Sequence, residues 1–323
     1  MSRFSDIYSY ISPLMKNKIT VFAPATVANI GCGFDSMGLA IDAPGDELTL
    51  EINHEKKLRI RKITGDHKKL SLDPKKNTAG VAIQALLDEM EINQGFDICI
   101  AKKMPLGSGL GSSAASSVAG AFAANELLGQ PFRREELVRF AMEGERVASG
   151  AAHADNAGPS MLGGIVLIRS YNPLEVISLA VPDKLIVVVV HPDLELLTKN
   201  SRAVLPKTIS LTDGIAQWSN TAALVAGLYT NNYSLIGRAV SDRIAEPYRA
   251  SLIPSFNDVK ASAIIKGALA CNISGSGPSV FALVEGKSKA AEIAKTMKNA
   301  FAKAKIKSTA YISPVNKKGA RVI

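Results

Sequence analysis

The chain has 323 residues, 47% of them hydrophobic and 21% charged, with 25 glycines and 15 prolines. This composition excludes the disordered, collagen-like and low-complexity classes, and the length favours two domains. The formal net charge of +9 is concentrated: residues 56–76 carry nine Lys or Arg against Asp66 and Asp73, and residues 287–307 carry seven Lys against Glu292, so the remainder is net acidic. The longest apolar runs, 118–124 and 185–190, fall far short of the roughly 18–20 residues that span a bilayer. Polar residues scattered through positions 1–18 exclude a secretory signal, and a soluble cytoplasmic protein is expected. Cys32, Cys99 and Cys271 are too widely spaced for a disulfide framework or a cysteine zinc site.

In chain order, residues 19–22, 47–52 and 96–101 read as strands, the last alternating Phe96, Ile98 and Ile100 with Asp97 and Cys99. A helix over 78–90 carries Val81, Ala82, Ala85, Leu86 and Met90 on one stripe, with Asn77 or Thr78 as its cap. Next comes a helix over 112–128, dense in Ala, Ser and Gly and closed by Gly129 and Pro131, then another over 135–149 and a loop over 151–164. Strands are expected at 165–169, 176–179, 185–191, 280–284 and 308–312, and helices at 211–229, 235–245, 256–270 and 289–304. Intermixed strands and helices imply an α+β protein: an extension over 1–18, one domain over 19–170 and a second over 171–323, with a shared site between them.

The strongest local signal is the run Pro105, Leu106, Gly107, Ser108, Gly109, Leu110, Gly111, Ser112, Ser113, Ala114, Ala115, which joins a strand to a small-residue helix. Alternate glycines let backbone N–H groups turn inward, and the helix start adds unpaired donors and a positive dipole end. The run is an anion cradle by chemistry. No Walker loop is present, because Phe281 stands where the first glycine before Gly286-Lys287-Ser288 belongs. The dinucleotide fingerprint is met only loosely by Gly109 to Ala114, and no GxSxG elbow occurs.

Two further loops accompany the cradle, one from Ala23 to Ala40 containing Gly31-Cys32-Gly33-Phe34-Asp35-Ser36, the other from Ile273 to Ser279. The three together, in this order and spacing, resemble the signature motifs of the GHMP kinases, which phosphorylate small molecules. Within that superfamily, five features resemble the homoserine kinases: the full first motif from Pro24 to Ala40, His153-Ala154-Asp155-Asn156, the stretch from Thr198 to Pro206, Glu246-Pro247-Tyr248-Arg249, and the terminal Gly319-Ala320-Arg321-Val322. Cys32 departs from the small residue or proline expected there. The resemblance implies a two-domain fold, with an N-terminal two-layer domain containing a βαβ unit and a C-terminal ferredoxin-like sandwich, and the active site between them.

It further implies ATP on residues 105–115, Mg²⁺ on Ser113 and Glu145, and L-homoserine as acceptor. A zwitterionic alcohol needs an ammonium acceptor and a carboxylate fork, which Asp35 and the guanidinium groups of Arg202 and Arg249 supply. Asn29, His153 and Thr198 match residues lining that pocket, Asn29 lying near the hydroxyl. A hydroxyl and a carboxylate suffice for Mg²⁺, which keeps several waters, and no basic side chain stands three or four residues from Glu145. Asp155 and Asn156 are both candidates where some superfamily members carry a catalytic aspartate. The expectation is that no dedicated carboxylate base operates and that orientation and charge stabilisation carry catalysis. A mevalonate-type or sugar kinase is the alternative. Nucleic acid is not expected, because the basic runs contain only Phe301 for stacking. Homodimers are common by analogy, while the sequence is silent on assembly.

Overall fold

The computed structural model describes residues 17–150 and 153–323, without the side chains of residues 148 and 149. Most of the expected N-terminal extension, residues 1–16, lies outside the described residues. Strands β1 (Lys18–Ala28) and β2 (Met37–Asn53) form a long antiparallel pair, followed by β3 (Leu58–Thr64), helix α1 (Thr78–Glu89) and β4 (Gly95–Ala101). β3 and β4 are parallel neighbours, so β3-α1-β4 is the expected βαβ unit. Helices α2 (Ser112–Leu127), α3 (Arg134–Ser149) and α4 (Ala154–Leu162) lead into the antiparallel hairpin of β5 (Ile165–Tyr171) and β6 (Leu174–Leu179). The expected boundary at residue 170 falls inside this hairpin.

The second half contains β7 (Leu185–Pro192), α5 (Thr198–Ala203), α6 (Leu211–Tyr229), α7 (Tyr233–Ala239), α8 (Glu246–Arg249), α9 (Phe256–Ile265), β8 (Ala270–Ile273), β9 (Val280–Glu285), α10 (Ala290–Lys303), β10 (Ser308–Pro314) and β11 (Arg321–Val322). One sheet has seven strands in the order β11-β1-β2-β4-β3, with β5 on β2 and β6 on β5, and the other has four in the order β10-β7-β9-β8. β11 returns to the first sheet, pairing Val322 with Val21.

The small residues of α2 allow burial on every side: it lies on β1 and β2 with α1 and α3 against it, and Ala114 to Asn125 are all buried. A second apolar cluster joins α9 and α10 to the four-stranded sheet through Phe256, Val259, Ile293, Met297 and Phe301. Three expectations need correction. The segment 154–162 is a helix rather than a loop. The helix expected over 235–245 ends at Ala239, where the Asp242 carboxylate instead accepts the N–H groups of Ile244, Ala245 and Glu246 at 2.8–3.0 Å. The helix expected over 256–270 stops at Ile265, beyond which Gly267 at φ 89° turns the chain into β8. Residues 58–64, for which no element is expected, form β3, whose arginines sit beside Asp97 of β4.

Candidate functional site

A cleft of about 920 Å³ opens between the two sheets and takes residues from the β1–β2 loop, the glycine run, α3, α4, α5, α8 and the loop before β9. At its centre Gly107, Gly109 and Gly111 have φ of 61°, 74° and 68°, a region that L side chains seldom occupy. The carbonyl groups of this loop are turned away from the cleft. Ser108 O accepts from Ser279 N–H at 3.2 Å, Gly109 O from the Ser274 hydroxyl at 2.7 Å and Leu110 O from Thr26 N–H at 3.0 Å. The N–H groups of Gly109, Gly111 and Ser113 have no protein acceptor among the described residues. A Cβ at Gly109 would lie 2.5 Å from Ser274 O, and one at Gly111 would overlap Thr26 Oγ1. The loop thus presses against the third motif with its free N–H groups in an arrangement that suits an anion.

Not all of residues 105–115 line it. Leu110, Ala114 and Ala115 are buried in the core, and Pro105 faces a separate cavity beside His191, Lys298 and Lys307. The side chains of these four residues therefore take no part in the cleft wall. Leu106, Gly107, Ser108, Gly109, Gly111, Ser112 and Ser113 do line the cleft.

At the other end, Arg202 forks onto Asp35, its Nη1 and Nη2 donating to the two carboxylate oxygens at 3.0 and 2.9 Å. Arg249 is buried, with Nε donating to Ser201 O at 3.1 Å and Nη1 to Gly275 O at 2.9 Å. Burial, then the neighbouring Arg202 charge, pushes Arg249 below its ordinary range, so an incoming carboxylate would stabilise its charged form. Both guanidinium groups lie over the Phe34 ring, at 5.9 and 5.3 Å from its centroid.

The loop holding Asp35 is strained: Asn29, Ile30 and Asp35 have φ of 72°, 44° and 55°, and the branched Ile30 is a marked outlier. Helix α6 braces it, Gln217 Nε2 and Thr221 Oγ1 donating to Cys32 O at 2.8 and 3.0 Å. Cys32 itself is buried, its thiol pushed up to about 12 by burial. Asn29 donates from Nδ2 to Gly275 O at 3.0 Å and accepts Asp35 N–H on Oδ1 at 3.0 Å. One Nδ2 hydrogen and one Oδ1 lone pair remain for a ligand.

Between the two ends stand the remaining candidates. Asn156 Oδ1 accepts from Thr26 Oγ1 at 2.7 Å, which turns its amide nitrogen to the cleft. Asp155 is buried, with Oδ1 lacking a hydrogen-bond partner, and its carboxyl is pushed up to about 7 by burial, then by Asp35, against the pull of Arg202. Glu145 is likewise pushed up to about 7 by burial, opposed by the Ser113 hydroxyl and the Lys102 charge. A buried carboxyl beside a hydroxyl, at the foot of a phosphate cradle, is the donor pair that a hard divalent cation would take. His153 stands at the N-cap position of α4 with Nε2 buried and unpartnered, and burial pushes its imidazole below its ordinary range. Thr198 Oγ1 lies 3.3 Å from Ser276 Oγ.

The cleft therefore brings together Asn29, Asp35, Ser113, Glu145, His153, Asp155, Asn156, Thr198, Arg202 and Arg249. Sequence reasoning missed Lys102 and Ser276, which also line it, and Tyr171, whose hydroxyl donates to Asp35 O at 2.9 Å and accepts Ala154 N–H at 3.3 Å. Lys102, three residues before Pro105 in a dibasic pair, was hidden by its likeness to a solvated charge.

The GHMP kinases N-terminal domain model matches residues 77–164 and the GHMP kinases C-terminal model residues 224–303. The chain belongs to the GHMP kinases. It is 49% identical over 317 residues to a homoserine kinase of Chlorobium phaeobacteroides, covering 94% of this chain and 99% of that one. The crystal structure of homoserine kinase from Cytophaga hutchinsonii superimposes with a TM-score of 0.93 at 52% identity, covering 96% of this chain and 98% of that one. Within the superfamily, the chain's place is among the homoserine kinases. A Leishmania major mevalonate kinase crystallised with R-mevalonate shares the fold at a TM-score of 0.70 and 18% identity, covering 94% of this chain and 99% of that one.

Proposed function

We propose that the chain transfers the γ-phosphoryl group of ATP to the side-chain hydroxyl of L-homoserine, giving O-phospho-L-homoserine for threonine synthesis. The observation that carries this reading is the Asp35–Arg202 fork with Arg249 beside it, in the same cleft as a glycine cradle of free N–H groups. The fork is a zwitterion divided between two side chains. An incoming amino acid can replace each half, its ammonium on Asp35 and its carboxylate on Arg202 and Arg249, so no buried charge is left unpaired.

The phosphates of ATP lie against Leu106 to Ser113, where N–H groups and the α2 dipole receive their charge. Ser113 and Glu145 would hold Mg²⁺, which would supply neutralisation of the charge on the transferring phosphoryl group. Asn29 and Asn156 orient the acceptor hydroxyl in line. The raised, buried carboxyl of Asp155 supports a different reading of the proton from the one the sequence favours: Asp155 accepts it as the new O–P bond forms.

ADP release with ATP and Mg²⁺ should depend on homoserine and be absent with mevalonate, galactose or RNA; turnover indifferent to homoserine would overturn the reading. 4-Hydroxybutyrate, which lacks the ammonium, should lose on the order of 10²-fold in kcat/KM, because it takes Arg202 from Asp35 without replacing it. Arg249→Lys should raise the KM for homoserine about 10²-fold with kcat within a few-fold, since one ammonium cannot serve the carboxylate as well as Ser201 O and Gly275 O.

A further inference from the structure

Beneath the cradle lies an ion pair with both side chains 1% exposed, formed by Asp46 of β2 and Lys102, the residue after β4. Asp46 Oδ1 accepts the N–H groups of Lys103 and Met104 at 2.7 and 3.1 Å, where the chain enters the loop. Its Oδ2 accepts the Ser112 hydroxyl at 3.1 Å, where the chain leaves, and the Lys102 ammonium. One carboxylate thus closes the loop at both ends. Lys102 Nζ donates further to Ser112 O at 2.6 Å and Ser116 Oγ at 2.8 Å, so all three ammonium hydrogens are directed.

For stability alone the arrangement is a poor choice. Two charges are taken out of water, and a cation is set against the N-terminal turn of α2, the end that repels it. Burial lowers the Lys102 pKa, against the pull of Asp46. The groups held in place are the entry and exit of the phosphate loop and the residue next to Ser113.

We propose that Asp46 and Lys102 are a positioning pair for phosphoryl transfer: the aspartate sets the span of the phosphate loop, and the lysine fixes the first turn of α2 so that the loop N–H groups and Ser113 Oγ meet the nucleotide in one geometry. The proposal rests on the loop being the ATP site. The three ammonium hydrogens of Lys102 are already directed to protein acceptors although the residue lines the cleft, so substitution of the pair should act on the nucleotide through the loop, and selectively. Apolar replacement could restore a purely structural pair but not this function.

The test compares the parent with Asp46→Asn, Ser116→Ala and Asp46→Leu/Lys102→Met, measuring thermal stability and both substrate saturation curves per mole of folded protein. Asp46→Asn keeps an acceptor for Lys103 and Met104 but presents an amide to the ammonium. It should raise the KM for ATP and lower kcat, each about tenfold, with the KM for homoserine within about twofold. Ser116→Ala frees one ammonium hydrogen, should fold as the parent does, and should shift ATP kinetics about threefold in the same direction. The double variant should recover thermal stability but not ATP saturation. Failure of the parent to turn over ATP would dismiss the proposed function itself. With an active parent, recovery of ATP kinetics by the double variant, equal changes in both KM values, or unaltered ATP kinetics in Ser116→Ala would each overturn the pair's role.

Discussion

Glu145→Gln is expected to lower kcat/KM by about 10³-fold or more while making the ligand-free protein more stable at pH 8. The carboxyl sits near 7 when folded, against an ordinary 4.5, chiefly because burial disfavours its charge. Between those values the unfolded chain has released the proton and the folded protein still holds it. Stability therefore falls as pH rises through that window, and the loss is complete above about 7. Gln carries no charge to bury. At 1.36 kcal/mol per pKa unit the parent forgoes on the order of 3 kcal/mol at pH 8 that the variant keeps. Thermal melts of both proteins at pH 5 and pH 8, without nucleotide, read this directly: the gap should open at pH 8 and narrow at pH 5. Adding Mg²⁺ and ATP should stabilise the parent far more than the variant. Turnover within tenfold of the parent at saturating Mg²⁺ would remove Glu145 from the metal site, and equal melting at pH 8 would remove the burial argument.

Asp155→Asn is expected to lower kcat by at least about 10²-fold with little change in KM, the range for loss of a general base. The pH profile separates this from a packing effect. A base must be ionised, and burial pushes Asp155 up to about 7, so kcat/KM of the parent should climb as pH rises towards 7 and then level. In the variant that limb should flatten. A loss below tenfold, with the limb intact, would return catalysis to orientation and charge alone. Arg202 and Asp35 act on this carboxyl in opposite directions, so a substrate that separates them also retunes the base.

The chemistry of this site was more legible than its wiring. Alternating glycines suggest a cradle because they accept φ above zero at such close approach, whereas Asp35, Arg202 and Arg249 stand out as partners for a zwitterion only through the motifs that hold them. The fork between Asp35 and Arg202 joins positions 167 residues apart, and no local pattern records it. Helix α4 was hidden by Gly158-Pro159, which reads as a breaker. The helix survives because the lost bond would have ended on Asp155 O. That carbonyl packs against Gly38, where any Cβ would overlap it. The apparent breaker thus goes with close approach of Asp155 to β2. Strand β3 was hidden by charge. Its arginines lie on the outer strand of the sheet, where basic side chains discourage a second sheet from adding on.

The return of β11 to the first sheet bears on how the protein is made. Val322 pairs with Val21, and Gly319 packs so tightly on the end of α4 that a Cβ there would overlap Met161 O. A ribosome emits roughly 5–20 residues per second, so β1 waits many seconds for this partner with one edge open. During that interval α4, which carries Asp155 and Asn156, lacks this support. The support of α4 from this side is complete only once residues 319–322 have been made, about 290 residues after β1.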